Sequence, residues 1–132
     1  MGLAFLLVLL GLGCLFLAYR EQEPFQAIKV KGEALQKLVV QETGSQEADP
    51  MERTIDFAAL QRINPEIVGW LYVPQIGVDS PILTGQTDTE YLTKDFEGAY
   101  SPLGSIFTFA GARLSDSQVY LFAHNMASGQ MF

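Results

Sequence analysis

The sequence predicts a mainly β domain with helices on its N-terminal side, preceded by a transmembrane helix. Three observations carry this reading. An uninterrupted apolar run opens the chain, helical periodicity is confined to residues 25–63, and from Gly69 onward the pattern switches to strand-like alternation.

Gly2 to Ala18 contains no charged residue over seventeen positions, which as a helix covers roughly 25 Å, at the short end of a bilayer span. Tyr19 suits an interface, and Arg20 can reach out of one. An uncleaved signal anchor is favoured over a cleaved signal peptide, because Met1 is followed at once by apolar sequence and no small-x-small cleavage pattern appears. A lipoprotein signal on Cys14 would need a larger aliphatic residue where Gly11 stands. Arg20 is flanked by Glu21 and Glu23, so charge does not set the orientation.

Residues 25–40 place Phe25, Ile28, Leu35, Leu38 and Val39 on one helical face, with Gly32 weakening the middle. Residues 41–53 are nearly devoid of apolar side chains and read as a linker. The expected organisation is therefore an anchor over 1–19, a juxtamembrane helix and linker over 20–53, and a folded domain over 54–132. Asp56 is a suitable N-cap for a short helix, FAALQRI, which Asn64-Pro65 ends. WLYVPQIGVDSPIL reads as two strands around Pro74 and Gly77. TDTEYLTKDF reads as a loop or one-turn helix, and GSIFTF (104–109) and QVYLFAH (118–124) as two further strands. Four such strands leave at least two sheet edges unpaired, and residues 54–132 alone are expected to pack loosely.

Composition removes several function classes. Eight basic against fifteen acidic residues give a net charge of −7 with no basic run, so nucleic acid is not an expected partner. One Cys excludes an internal disulfide, and one Cys with one His excludes a zinc site built on Cys/His clusters. No cofactor is implied.

The only histidine, His124, follows an apolar strand and precedes Asn125, Ser128 and Gly129. An imidazole titrating near pH ~6.5 at a strand end can act as general base or acid; from position alone, a hydrogen-bonded turn histidine is the favoured reading. Cys14 lies in the apolar run and reads as a small hydrophobe, not a nucleophile. Trp70 and Tyr72 are expected in the core. Asp88, Glu90, Asp95 and Glu97 match no calcium loop and are expected as a solvated acidic surface.

Taken in order, INPEIVGWLYVPQIGVDSPILTG, TDTEYL, GSIF and HNMASGQMF resemble the N-terminal half of a class B sortase over about residues 57–132. The resemblance implies a partial sortase-type β-barrel behind a transmembrane helix. It also implies a single-pass protein of a Gram-positive-type cell membrane with its catalytic domain outside. Sortases of this class are cysteine transpeptidases. Their partners are secreted proteins bearing an Asn-Pro-x-Thr-x type sorting signal, which they cut, and a cell-wall peptide amine that receives the new carboxyl end.

The same resemblance puts His124 on the catalytic histidine and Leu92 on a position lining the sorting-signal groove. Asp88 falls where related enzymes often carry Asn, as a second substrate-binding candidate. Ala123 stands where Gly usually precedes the histidine, and Phe109 where an acidic residue is common. The T-L-x-T-C strand with the nucleophile, and the arginine after it, have no counterpart in this sequence, and Arg113 is misplaced to substitute. These residues alone are therefore expected to be inactive, the activity belonging to a longer chain. The competing expectation is a non-catalytic, membrane-anchored sortase-like binding module or degenerate fragment. The codons after Phe132 discriminate between the two.

Overall fold

The computed structural model describes residues 2–41 and 52–125. Helix α1 (Gly2–Val39) is a single element that runs through the boundary expected at residues 19 and 20. Among the described residues no helix is long and apolar enough to cross a membrane. This corrects the expected transmembrane helix and the single-pass placement in a cell membrane.

The C-terminal half of α1 packs on the domain through Leu35 and Val39, which are buried, and Ile28 and Gly32, which are half-buried. Leu38, expected on the same face, is 65% exposed; it sits about 100° around the axis from Val39 and so clears the contact. Two short antiparallel strands follow, β1 (Val40–Gln41) and β2 (Thr54–Ile55), with Val40 opposite Ile55. The Asp56 N–H donates to the Val39 carbonyl at 2.9 Å and satisfies a helix-end acceptor. Most of the expected linker, residues 42–51, lies outside the described residues.

Helix α2 (Phe57–Ile63) begins and ends where its caps dictate. The Asp56 carboxylate accepts from the Ala59 N–H at 2.9 Å, and the Asn64 N–H closes the last turn on the Leu60 carbonyl. Asp56→Ala is expected to lower stability by about 1 kcal/mol in a denaturant titration; an unchanged midpoint would show that water caps the helix equally well.

Strands β3 (Ile67–Val73) and β4 (Val78–Thr84) form an antiparallel hairpin. They are joined by a 3-10 turn at Pro74–Ile76 and by Gly77 at φ 71°, a conformation glycine adopts without strain. A crossover spanning residues 85–105 carries the chain to β5 (Ile106–Thr108), which pairs parallel to β4, and β6 (Leu121–Phe122) pairs antiparallel to β5. The sheet order is β3-β4-β5-β6, and the sheet is not closed. β6 is shorter than its apolar run suggests, because Gln118 and Tyr120 are exposed and make no ladder.

Adjacent strand positions face opposite sides of a sheet, and the two faces bury different clusters. Leu35, Val39, Leu60, Ile67, Leu83, Tyr91 and Phe107 form the larger core under the helices, while Val78, Ile82 and Ile106 cover the other face. Of the two aromatics expected in the core, Trp70 is half-buried and packs against the larger cluster, whereas Tyr72, also half-buried, belongs to neither cluster. The correction has an electrostatic cause. Asp79, opposite Tyr72 on β4, accepts from the Trp70 indole N–H at 2.6 Å and from both terminal nitrogens of Arg53, whose guanidinium lies 3.8 Å over the Tyr72 ring. A polar clasp therefore covers this end of the hairpin.

Candidate active site

The site is built on the crossover between β4 and β5. Its first turn is fixed by Glu90, whose carboxylate accepts from the Gln86 N–H at 2.7 Å and from Lys94 at 2.6 Å. The Lys94 bond, followed by the Gln86 bond, holds the Glu90 carboxyl below its ordinary value of 4.5. A carboxyl lowered on folding stabilises the folded state above its unfolded pKa, and that contribution disappears as pH falls through the lower, folded value. Acidification from neutrality to below about 4.5 is therefore expected to loosen this turn. Amide exchange at Gln86 measured against pH checks it, and exchange that stays protected in acid would count against the assignment.

A 3-10 turn, Glu90–Leu92, then directs Tyr91 inward, where it is 1% exposed. The Tyr91 hydroxyl donates to the Glu66 carboxylate and accepts from the Asn64 side-chain amide at 2.8 Å. Burial first, and the Glu66 carboxylate second, push this phenol well above its usual range. Asn64 also donates to the Phe96 carbonyl and accepts from the Glu66 N–H, both at 2.9 Å, so every polar group of this buried side chain is engaged.

The return leg of the crossover is packed against the same turn. The Ser105 N–H donates to the Tyr91 carbonyl at 2.9 Å. Gly104, at φ 62°, lies so close that a Cβ there would stand 2.5 Å from the Tyr91 oxygen and 2.6 Å from the Leu92 oxygen. The Leu92 carbonyl receives the half-buried His124, whose Nε2 lies 2.8 Å away.

A carbonyl oxygen can only accept, so His124 Nε2 carries the hydrogen and Nδ1 is the nitrogen left to take or give a proton. Beside β6, Phe122 packs between Phe107 and Phe109, with ring centroids at 5.6 and 4.7 Å, and stiffens the segment that ends at the histidine.

Of the residues singled out from sequence, the structure thus brings His124 and Leu92 together, through the Leu92 backbone. Asp88 is exposed and accepts from the Ala110 N–H at 2.8 Å, which ties down the turn after β5. Arg113 is exposed on the loop between β5 and β6. Cys14 is exposed on α1, roughly 25 Å along the helix axis from where Lys31 meets the domain. Met126, Gly129, Met131 and Phe132 of the HNMASGQMF motif lie outside the described residues.

The expected acidic surface needs correction. Asp95 is 5% exposed and organises a tight turn, accepting from the N–H groups of Glu97 and Ala99 and pairing with Lys31 at 2.7 Å. The sequence signal for this was Asp95 followed three positions later by Gly98, a pairing suited to the first and last places of a four-residue turn. Asn64, Tyr91 and Lys31 carried no comparable signal. Among the described residues no group of three or more His, Cys, Asp or Glu side chains could hold a metal ion.

Comparison with known proteins places the fold in a class. The fold is sortase B-like, mainly sheet with helices, the sheet not closed. The chain is 33% identical over 78 residues to sortase B of Staphylococcus aureus, a match covering 58% of this chain and 32% of that protein. It is 32% identical over 75 residues to sortase B of Listeria monocytogenes, covering 55% and 30%.

The crystal structure of sortase B from Bacillus anthracis in complex with AAEK1 superimposes with a TM-score of 0.67 at 27% identity, covering 83% of this chain and 52% of that one. No family model matches the chain. By sequence and by structure the chain is a homologue of sortase B over part of that protein's length, spanning about a third of the curated relatives it matches.

Proposed function

We propose that this chain carries the histidine part of a class B sortase active site. In the complete reaction a cysteine thiolate supplied from beyond these residues attacks the scissile carbonyl of an Asn-Pro-x-Thr-x type signal on a secreted protein. His124 gives a proton to the departing amine as the thioester forms. A cell-wall peptide amine then attacks the thioester, passes its proton to His124, and regenerates the thiolate. Leu92 and Asp88 line the approach of the signal. The observation that carries this reading is the single histidine after β6, whose Nε2 is held on the Leu92 carbonyl, which leaves proton exchange to Nδ1.

The test is a chimera of residues 1–132 with the part of Staphylococcus aureus sortase B that follows the matched region, assayed with an Asn-Pro-x-Thr-x peptide. A covalent acyl-enzyme seen by mass spectrometry and lost in His124→Ala is expected, whereas residues 1–132 by themselves give no turnover. Near-normal turnover by a folded His124→Ala chimera would return His124 to a structural role.

The place of Cys14 on α1, remote from His124, favours a second reading, a non-catalytic module that binds the signal. Saturable binding of the same peptide to a chain that never turns it over separates the two.

A further inference from the structure

We propose that Lys31, on α1, is a positioning residue for His124, acting through the Asp95 turn and the Leu92 carbonyl. Each step of the connection is a contact. Lys31 Nζ pairs with Asp95 Oδ2 at 2.7 Å and also with Glu97. Asp95 Oδ1 accepts from the Glu97 N–H at 3.0 Å and the Ala99 N–H at 2.9 Å, and its own N–H donates to the Ala99 carbonyl at 2.8 Å.

These bonds close a small hairpin whose neck joins Ser101 to Thr93 at 2.9 Å and Lys94 to Tyr100. Ser105 donates to the Lys94 carbonyl through its hydroxyl and to the Tyr91 carbonyl through its N–H, both at 2.9 Å. Gly104 is wedged against the Leu92 carbonyl that His124 uses.

The hairpin depends on this ion pair for a physical reason. The Asp95 side chain is 7% exposed, and a carboxylate so buried is strongly unfavourable once its cation is removed. The charge on Lys31 is held above its ordinary range, by Asp95 first and Glu97 second. Packing alone does not replace the pair. A cavity of about 460 Å³ lies between α1 and the hairpin, with Ile28, Gln36, Phe96, Leu103 and Ser105 on its walls, and leaves the hairpin room to shift when the pair opens. The seating of α1 thereby sets the geometry of the histidine. The catalytic consequence rests on the sortase reading of His124; the coupling itself does not.

The chain has one histidine and one tryptophan, so the site and the fold can be read in one NMR spectrum of the full chain. The Trp70 indole N–H, bonded to Asp79, reports the fold, and the His124 Nε2–H reports the site. In Lys31→Met the Trp70 signal is expected to stay in place while Nε2–H exchange with water accelerates by about tenfold or more, the mark of a local opening. Asp95→Asn is expected to do the same, Lys31→Arg to restore slow exchange, and Glu97→Gln, which leaves the Lys31–Asp95 pair intact, to have no effect.

Unaltered His124 exchange in a folded Lys31→Met or Asp95→Asn protein would overturn the proposal. So would loss of the Trp70 and His124 signals together, which would make Lys31 a residue of the fold at large. Because the readout is a proton on the resting imidazole, it is independent of whether the peptide is ever turned over.

Discussion

Gly104→Ala is expected to cost about 3 kcal/mol of stability and to detach His124 from Leu92 in whatever folded protein remains. Two penalties act together. At φ 62° an L side chain is strained even in open space. The space is also closed, since a new Cβ would overlap the Tyr91 and Leu92 carbonyl oxygens. Both obstacles are backbone, and neither can rotate away as a flexible side chain would. The Tyr91 carbonyl is committed to the Ser105 N–H, and the Leu92 carbonyl to His124. A shift in denaturation midpoint, followed alongside the His124 imidazole signals, measures both effects. A Gly104→Ala protein with the wild-type midpoint would mean that the crossover relaxes more easily than this packing implies.

Asn64→Ala is the second large effect, at about 2–4 kcal/mol. The side chain is lost from four partnerships at once: two donated bonds, to Tyr91 and Phe96, one accepted from Glu66, and the packing of a residue only 7% exposed. What remains is a half-buried Phe96 carbonyl and a Glu66 N–H without their Asn64 partner, a loss that adds to that of the bonds themselves. The Tyr91 phenol would move further from its usual range, because the Asn64 amide is the contact that lowers it. Denaturation against Tyr91→Phe, which keeps the ring and gives up only the hydroxyl, is the informative comparison. A smaller loss for Asn64→Ala than for Tyr91→Phe would show that the network is organised around the phenol instead.

What the sequence made legible is local. Asp56, FAALQRI and Asn64-Pro65 specify a helix to the residue, because cap, periodicity and terminator all lie within about ten consecutive positions. Pro74 and Gly77 likewise mark the hairpin turn. The polar clasp was hidden because Arg53 and Asp79 are 26 positions apart, and only their meeting places a polar cover over the half-buried Trp70 and Tyr72. Asp95 is buried because of a lysine 64 positions away. His124 could be seen as a histidine at a strand end, but its partner is a backbone oxygen, and a carbonyl carries no side-chain signature. The unpaired sheet edges followed from counting apolar runs; the shortness of β6 and the parallel direction of β5 did not, since the one depends on where the ladder stops and the other on how the crossover folds.

That parallel pairing has a consequence for the order of assembly. The β3–β4 hairpin closes through a turn of four residues and can form early from local contacts. β5 cannot join β4 until the twenty-one residues between them are looped back, and the entropy of that closure is lost before any ladder bond repays it. β6 waits in turn for β5. The Leu92 carbonyl sits inside the crossover and His124 beyond β6, so the histidine reaches its partner only after both delays. In refolding followed by pulsed amide exchange, protection at Leu71 and Ser80 is expected to precede protection at Ser105, with the imidazole contact last. A chain released before its last strand is in register would then hold a formed hairpin and a histidine with nothing to orient it.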